Sequence, residues 1–405
     1  VIREPATVEL GSLGLDGGAS VLVKLALSDR RSGEEIAVRG THPDLAGHLA
    51  TWCRQQGHRW RSSDVEADNV VVGFVERGTT AGARWVGAER AGRTDATEPD
   101  ALRAEPPSSW GLAARGAVIE PGGPTPQFRL HLRDELWTDR AATLYAQAIA
   151  AQWDPALAID WSAPIEHDPN VEAAVVQVMT FLIENEEAAL VVPARFLGQI
   201  HPHFREIQQF LAVTVADEAR HIEVFNRRAT MTGHELALST VGGRASLQTL
   251  LDEPDYATAS FLLSVMGEGT FVSLLSFLER HAPDHTTRQI AHLTRNDEAR
   301  HVAFSLAHLE RHLQLEPELR SRLARAVEQR HRALQGTSGL NEDVFDALVL
   351  LAAGDSAPER IRIGWQLVQQ LQTEMADSRQ ARLARLGFTS GEAEALSSLH
   401  TRNFM

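Results

Sequence analysis

Two identical pentapeptides hold the densest chemistry in the chain. Asp217-Glu-Ala-Arg-His221 recurs as Asp297-Glu-Ala-Arg-His301, 80 positions later. Each contains E-x-x-H: Glu218 with His221, and Glu298 with His301. On an α-helix, positions i and i+3 share a face, so each motif can aim one carboxylate and one imidazole at a single point. A lone E-x-x-H is a weak signal in a chain with 17 histidines, and its ordinary reading is a solvated helix pair. Here the upstream landmarks repeat as well. Glu187 is followed at +9 by Phe196-Leu197 and at +15 by Pro202, and Glu268 at +9 by Phe277-Leu278 and at +15 by Pro283. Each half reads as a helix with one Glu, a proline-marked turn, and a helix with E-x-x-H. The halves differ by one residue in the intervening stretch.

One Glu from each of two helices, plus E-x-x-H from each of two others, is the donor set of a ferritin-like dimetal site. The expected ligands are Glu187, Glu218, His221, Glu268, Glu298 and His301. Glu186 points about 100° away from Glu187 on the helix wheel, and the repeat alignment selects Glu187. Glu184, one turn back, is an outer group or an extra ligand. Four carboxylates balance two divalent cations inside a low-dielectric core, whereas the same carboxylates alone repel one another. Oxygen and nitrogen donors without a thiolate suit iron or manganese better than copper or structural zinc. Asp217 and Asp297, four residues before His221 and His301, can accept the outer ring N–H and fix the tautomer. Arg220 and Arg300 can offset those charges. Thr214 and Thr294, one turn before Glu218 and Glu298, either hydrogen-bond a ligand carboxylate or bond back to their own helix.

Such a site needs four helices, and the composition supplies them. The chain has 405 residues, 43% apolar and 23% charged, rich in helix-forming types and with two tyrosines. Residues 1–77 show short alternating apolar stretches at 35–39 and 70–75 around a helical pattern from Pro43 to Gln56 that Gly57 stops; this is a small α/β domain. Residues 78–128, with Pro106-Pro107 and Pro121-Gly-Gly-Pro124, read as a long connection. From 129 to 405 the chain reads as helical, with prolines and Gly354 as punctuation. The expected architecture is mainly α: a ferritin-like four-helix bundle with extra C-terminal helices, after the α/β domain.

The formal charge of −15 argues against nonspecific binding to nucleic acid or to an anionic membrane. No apolar run reaches the roughly 18 residues of a membrane span on this reading, and the first residues lack the pattern of a signal peptide. One cysteine, Cys53, cannot form an internal disulfide, a zinc ribbon, a rubredoxin-type site or an iron–sulfur cluster. The expected compartment is the cytoplasm, and electrons must come from an external donor or from the substrate.

Residues 165–310 resemble the ferritin-like di-iron carboxylate superfamily, and the doubled D-E-x-R-H is most similar to the hydroxylase subunits of bacterial multicomponent monooxygenases. That resemblance implies that Glu218 and Glu298 bridge two metals and that His221 and His301 are terminal ligands. It also implies reduction of O2 at a diferrous centre and oxidation of a bound substrate. The chain departs from the pattern in two places. Val272 stands where those monooxygenases have a Thr, and Phe225 where ribonucleotide reductase subunits have a radical Tyr. Tyr145 and Tyr256 lie outside both motif helices, which disfavours a tyrosyl-radical subunit. Residues 1–77 weakly resemble the TusA-like sulfur-carrier fold through Gly14-Leu15, Val21-Leu-Val-Lys24 and Trp52-Cys-Arg-Gln-Gln-Gly-His58. Gly17-Gly18 replace that family's active Cys-Pro, so persulfide transfer is not expected, and Cys53 reads as a packed core thiol.

Other candidates have plainer readings. His201-Pro-His203 reads as a solvated turn pair. Phe181, Phe225, Phe271, Phe304, Met179 and Met266 read as an apolar wall or as ordinary core. Arg320 to Arg332 reads as the wet face of an amphipathic helix. The expected function is a di-iron oxidase or oxygenase using O2 on a small organic substrate. A dimanganese or mixed Mn/Fe peroxide-handling protein and a metal-stabilised, non-enzymatic docking protein are the alternatives. A homodimer is the assembly kept open.

Overall fold

The computed structural model describes residues 6–79, 85–335 and 342–399. The outer ends of the two expected domains, residues 1–5 and 400–405, and residues 80–84 of the expected connection lie outside the described residues. The chain divides into two compact units, Val1–Ala91 with Gly116–Thr125, and Gly92–Arg115 with Pro126–Met405.

The first unit runs β1 (Ala6–Gly11), α1 (Ser20–Ser28), β2 (Glu35–Gly40), α2 (Leu45–Gln56), β3 (Arg59–Val65) and β4 (Val71–Glu76). Its sheet order is β1-β2-β4-β3, with β1 and β2 parallel and the other pairs antiparallel. The two apolar stretches read from sequence are β2 and β4, and the helical pattern is α2. Gly57 ends α2 in the left-handed region at φ 72°, where a side chain would be strained. Ile36 and Val38 from the sheet meet Val23 and Leu27 of α1 and Leu45, Leu49 and Cys53 of α2 in one apolar core. Cys53 is fully buried, and burial pushes its thiol up to about 11. A short pair, β5 (Glu89–Arg90) with β6 (Val118–Ile119), completes this unit.

The second unit is helical: α3 (Ala141–Ala150), α4 (Pro169–Leu197), α5 (Arg205–Thr230), α6 (Val241–Leu251), α7 (Tyr256–His281), α8 (His285–Leu315), α9 (Leu319–Leu334), α10 (Glu342–Ala353), α11 (Pro358–Arg385) and α12 (Ser390–Ser398). Helices α4 and α5 form one hairpin around Pro202, and α7 and α8 form a second around Pro283. Together they make the four-helix bundle. Helix α10 packs on α4, and α11 packs on α7 and α10. Asp168 caps α4 and Asp284 caps α8, each accepting a backbone N–H at 2.7 Å.

Helix α7 is the exception to α geometry, because Phe261–Glu268 is a π-helix. It also corrects the hydropathy reading. By length and composition Tyr256–His281 is apolar enough to cross a membrane, but 83% of its apolar window is buried in the bundle, where a core helix must be apolar all round.

Ionic contacts brace the bundle. Arg228 of α5 donates to both oxygens of Glu172 on α4 and to Asp284 at the start of α8, each at 2.8 Å, with no exposure of its own. Arg115 donates to Glu206 and to the His203 carbonyl. The His201-Pro-His203 turn is therefore buried rather than solvated. His203 Nε2 accepts the Arg103 N–H at 2.9 Å, and burial lowers this imidazole to about 4. On α9 the wet face has one exception, Arg330, which is buried and donates to Ser246.

Candidate metal centre

The first ligand shows how the helix, not the repeat, decides the geometry. Along α4 the buried positions Val175, Met179, Leu182, Ala189, Pro193 and Phe196 follow a three-and-four spacing, and Glu186 falls on that stripe with 1% exposure. Glu187 lies one residue round, on the outer face with Val191 and Ala194. The expected ligand Glu187 is thus corrected to Glu186, and Glu184 is only partly buried on a different face. The physical reason is where the landmarks fall: Phe196-Leu197 end α4, whereas α7 runs on past Phe277-Leu278 to His281, so equal spacing from these landmarks does not mean equal facing in the two halves.

The six inward groups form two interlocked sets. Ligand atoms from Glu186, Glu218, His221 and Glu298 all lie within 4.8 Å of one another, and so do those from Glu218, Glu268, Glu298 and His301. Glu218 and Glu298 belong to both sets. His221 Nδ1 lies 2.9 Å from Glu218, 3.3 Å from Glu298 and 3.6 Å from Glu186. His301 Nδ1 lies 3.0 Å from Glu218 and 3.5 Å from Glu298. In both histidines Nδ1 faces the carboxylates and Nε2 faces outward.

Outward, the aspartates act across the bundle rather than along their own helix. Asp297 of α8 lies 3.1 Å from Nε2 of His221 on α5, and Asp217 of α5 lies 3.3 Å from Nε2 of His301 on α8. The expected pairing within each pentapeptide is corrected to this reciprocal one, because the two motif helices face each other and each Asp reaches the opposing ring. Arg220 bonds both Asp217 and Asp297, and Arg300 bonds Asp297. Gln152 and Trp153, just after α3, add bonds of 2.8 Å to Asp217 and Asp297. Nothing in the sequence pattern marks these two, since they lie outside the repeat. Thr214 and Thr294 are buried with unpartnered hydroxyls.

Electrostatics shows what this pocket lacks. Burial, then Glu298 and Glu218, raise Glu186 well above the usual carboxylate range. Burial, then Glu298, do the same to Glu268. Burial also opposes ionisation of Glu218, but His301 and His221 outweigh it and hold that group low. The imidazoles are raised despite burial, His221 chiefly by Asp297 and Glu186, His301 chiefly by Glu218 and Asp217. Both oxygens of Glu268 and of Glu298 are buried without a hydrogen-bond partner. Buried carboxylates normally have partners, so unpartnered oxygens converging with imidazole nitrogens fit a pair of cations. The donor set, all oxygen and nitrogen, suits iron and manganese.

A pocket opens beside the Glu268 and His301 half. Val192, Phe196, Phe210, Leu263 and Phe304 make it mainly apolar, while Thr214, Tyr256 and Ser305 add hydroxyls. Of the expected apolar wall, Phe304 lines it. Phe181, Phe225, Phe271, Met179 and Met266 are buried in the surrounding core.

No family model and no curated protein matches this sequence. Solved structures do. An R2-like ligand-binding oxidase variant with an aerobically reconstituted Mn/Fe cofactor is similar with a TM-score of 0.50 and 18% identity, over 62% of this chain and 94% of that one. Another variant of an R2-like ligand-binding oxidase, with an aerobically reconstituted Fe/Fe cofactor, has a TM-score of 0.50 and 17% identity over the same shares. At these identities the likeness shows a shared fold, the ferritin-like helical bundle.

Proposed function

We propose that this chain is a dimetal oxidase or oxygenase that holds Fe/Fe or Mn/Fe and uses O2 to oxidise a small, mainly apolar organic molecule. The observation that carries this reading is the pair of buried donor sets sharing Glu218 and Glu298. Similarity to oxidases that carry Mn/Fe and Fe/Fe cofactors supports it. When bound, the metal pair supplies electrons to O2. Glu218 and Glu298, which belong to both donor sets, would help to hold both ions. Glu186 with His221, and Glu268 with His301, would complete one position each. Asp297 and Asp217 hold the outer N–H of the two imidazoles and so keep Nδ1 free to ligate. The apolar cavity walls would bind the substrate and exclude water on the Glu268 side. The second electron source would be an external donor, because the single cysteine leaves the chain without an iron–sulfur centre of its own.

The test is anaerobic loading with Fe(II), alone and with Mn(II), followed by metal analysis and optical spectroscopy on exposure to O2. Two metals per chain and an O2-dependent absorption change are expected. Loading of two metals with no response to O2 would turn the reading towards a metal-stabilised docking protein. Peroxide breakdown without a reductant would turn it towards the peroxide-handling alternative.

A further inference from the structure

Glu268 is delivered by irregular helical backbone. It is the last residue of the π-segment Phe261–Glu268, and π geometry spaces hydrogen bonds at i→i+5 and disturbs the regular pairing of carbonyls. One of those carbonyls, Val265, accepts the Nε–H of Arg382 on α11 at 2.7 Å. Arg382 is 7% exposed; its Nη1 donates to Ser378 and its Nη2 has no hydrogen-bond partner. Among the described residues no carboxylate pairs with it, and burial, with Arg379 nearby, lowers it to about 9. A buried guanidinium without a carboxylate is costly, so its place beside the π-segment calls for a purpose.

The neighbours of Glu268 accommodate this guanidinium on both sides. Gly269 follows Glu268 directly, and a Cβ there would overlap the Arg382 guanidinium. Glycine at this position is what lets the arginine reach the helix backbone. Arg379, also on α11 and 1% exposed, donates to the Thr270 hydroxyl at 3.1 Å, and that hydroxyl donates to the Met266 carbonyl at 2.7 Å. The two arginines therefore grip the backbone before Glu268, at Val265, and the side chain after it, at Thr270. The α4 half has no such device: Glu186 sits on a continuous α-helix.

We propose that Arg382, admitted by Gly269 and assisted by Arg379, is a positioning residue that fixes the π-segment and thereby aims Glu268 into the metal centre. This rests on Glu268 being a metal ligand, as proposed above. Metal ligands depend on groups that orient them, and loss of such groups costs about 10- to 100-fold in metal affinity.

Co(II) titration of the metal-free protein, read by ligand-field absorption, tests this, with circular dichroism to verify folding. Wild type should take two Co(II), and Glu268→Ala should lose one. R382M and G269A should fold, keep one position at wild-type affinity, weaken the other about 10- to 100-fold and shift its spectrum. R382K should recover part of the change. Arg330→Met, which removes a buried arginine elsewhere, should lower stability and leave the spectrum alone. If R382M does not fold, G269A and R382K carry the same comparison. Loss of one Co(II) in Glu268→Ala with wild-type affinity and spectrum in folded G269A and R382K would overturn the positioning role. An equal spectral shift in Arg330→Met would overturn it too. Wild type with no Co(II), or an unaltered Glu268→Ala, would remove its premise, the ligand assignment itself.

Discussion

The two halves of the metal centre carry the same pentapeptide and deliver the same donor types, yet they are built differently. In the α4–α5 half, Glu186 rides on an uninterrupted α-helix, set by a stripe of buried residues. In the α7–α8 half, Glu268 ends a π-segment, and the cavity opens beside it. Identical chemistry can thus be held by α-helical backbone in one half and by π-helical backbone beside a pocket in the other. The irregular geometry sits where a substrate would approach, in keeping with the tendency of π-bulges to occur at functional sites.

The largest test of this division removes what both halves share. Glu218→Ala or Glu298→Ala should reduce bound metal from two ions to less than one per chain by elemental analysis, since each serves both donor sets. Retention of two would mean that the halves do not share ligands. A stability counterpart is Arg228→Ala, which removes the guanidinium shared by Glu172 and Asp284 at the starts of α4 and α8, one helix from each half, and leaves Glu172 to His167 and Thr232 and Asp284 to Thr287. Breaking a buried ion pair in this way costs about 3–5 kcal/mol, measurable by denaturant unfolding. Against burial, which raises it, Arg228 with Thr232 and His167 holds Glu172 down to about 2, below its ordinary value of 4.5, so the contribution of this cluster is present above the ordinary value and fades as pH falls from there towards about 2. Unfolding free energy that stays flat across that acid window would show that the cluster contributes little.

Within one half, Glu186→Ala should lose one metal ion while Glu187→Ala loses none. The reverse result would restore the register implied by the repeat. On the open side, Ser305→Phe should keep both metals and weaken binding of an apolar probe such as toluene, followed by calorimetry. Unchanged toluene binding would show that the cavity is not the route of entry. The smallest effect belongs to the other unit: Cys53, fully buried with its thiol at about 11, should resist alkylation at neutral pH in the folded protein and react on unfolding. Rapid modification of the folded protein would contradict the burial.

Much of this was legible in the residues, and the gaps have definite causes. Glu218, His221, Glu298 and His301 follow from i,i+3 spacing within single helices, a short-range property that α geometry fixes. The apolar strands and the Gly57 helix stop were readable for the same local reason. Glu186 was readable too, from the buried stripe Val175, Met179, Leu182 and Ala189, but alignment on Phe196 and Pro202 pointed one residue further. That alignment assumes that the landmarks sit alike in both hairpins, but Phe196-Leu197 end α4 while Phe277-Leu278 lie inside α7, which runs on to His281. Burial of the His201 and His203 turn, and of Arg330, depends on chain segments far away in sequence, which local patterns do not register.

The sequence alone determined the donor types, their pairing on helices and the two helical hairpins that carry them, because periodicity and spacing act over a few residues. Tertiary structure crossed Asp217 with His301 and Asp297 with His221. It also brought Gln152 and Trp153 to the outer layer and docked Arg382 against the π-segment. These are contacts between residues tens to more than a hundred positions apart, and they exist only once packing has chosen which faces of the helices meet.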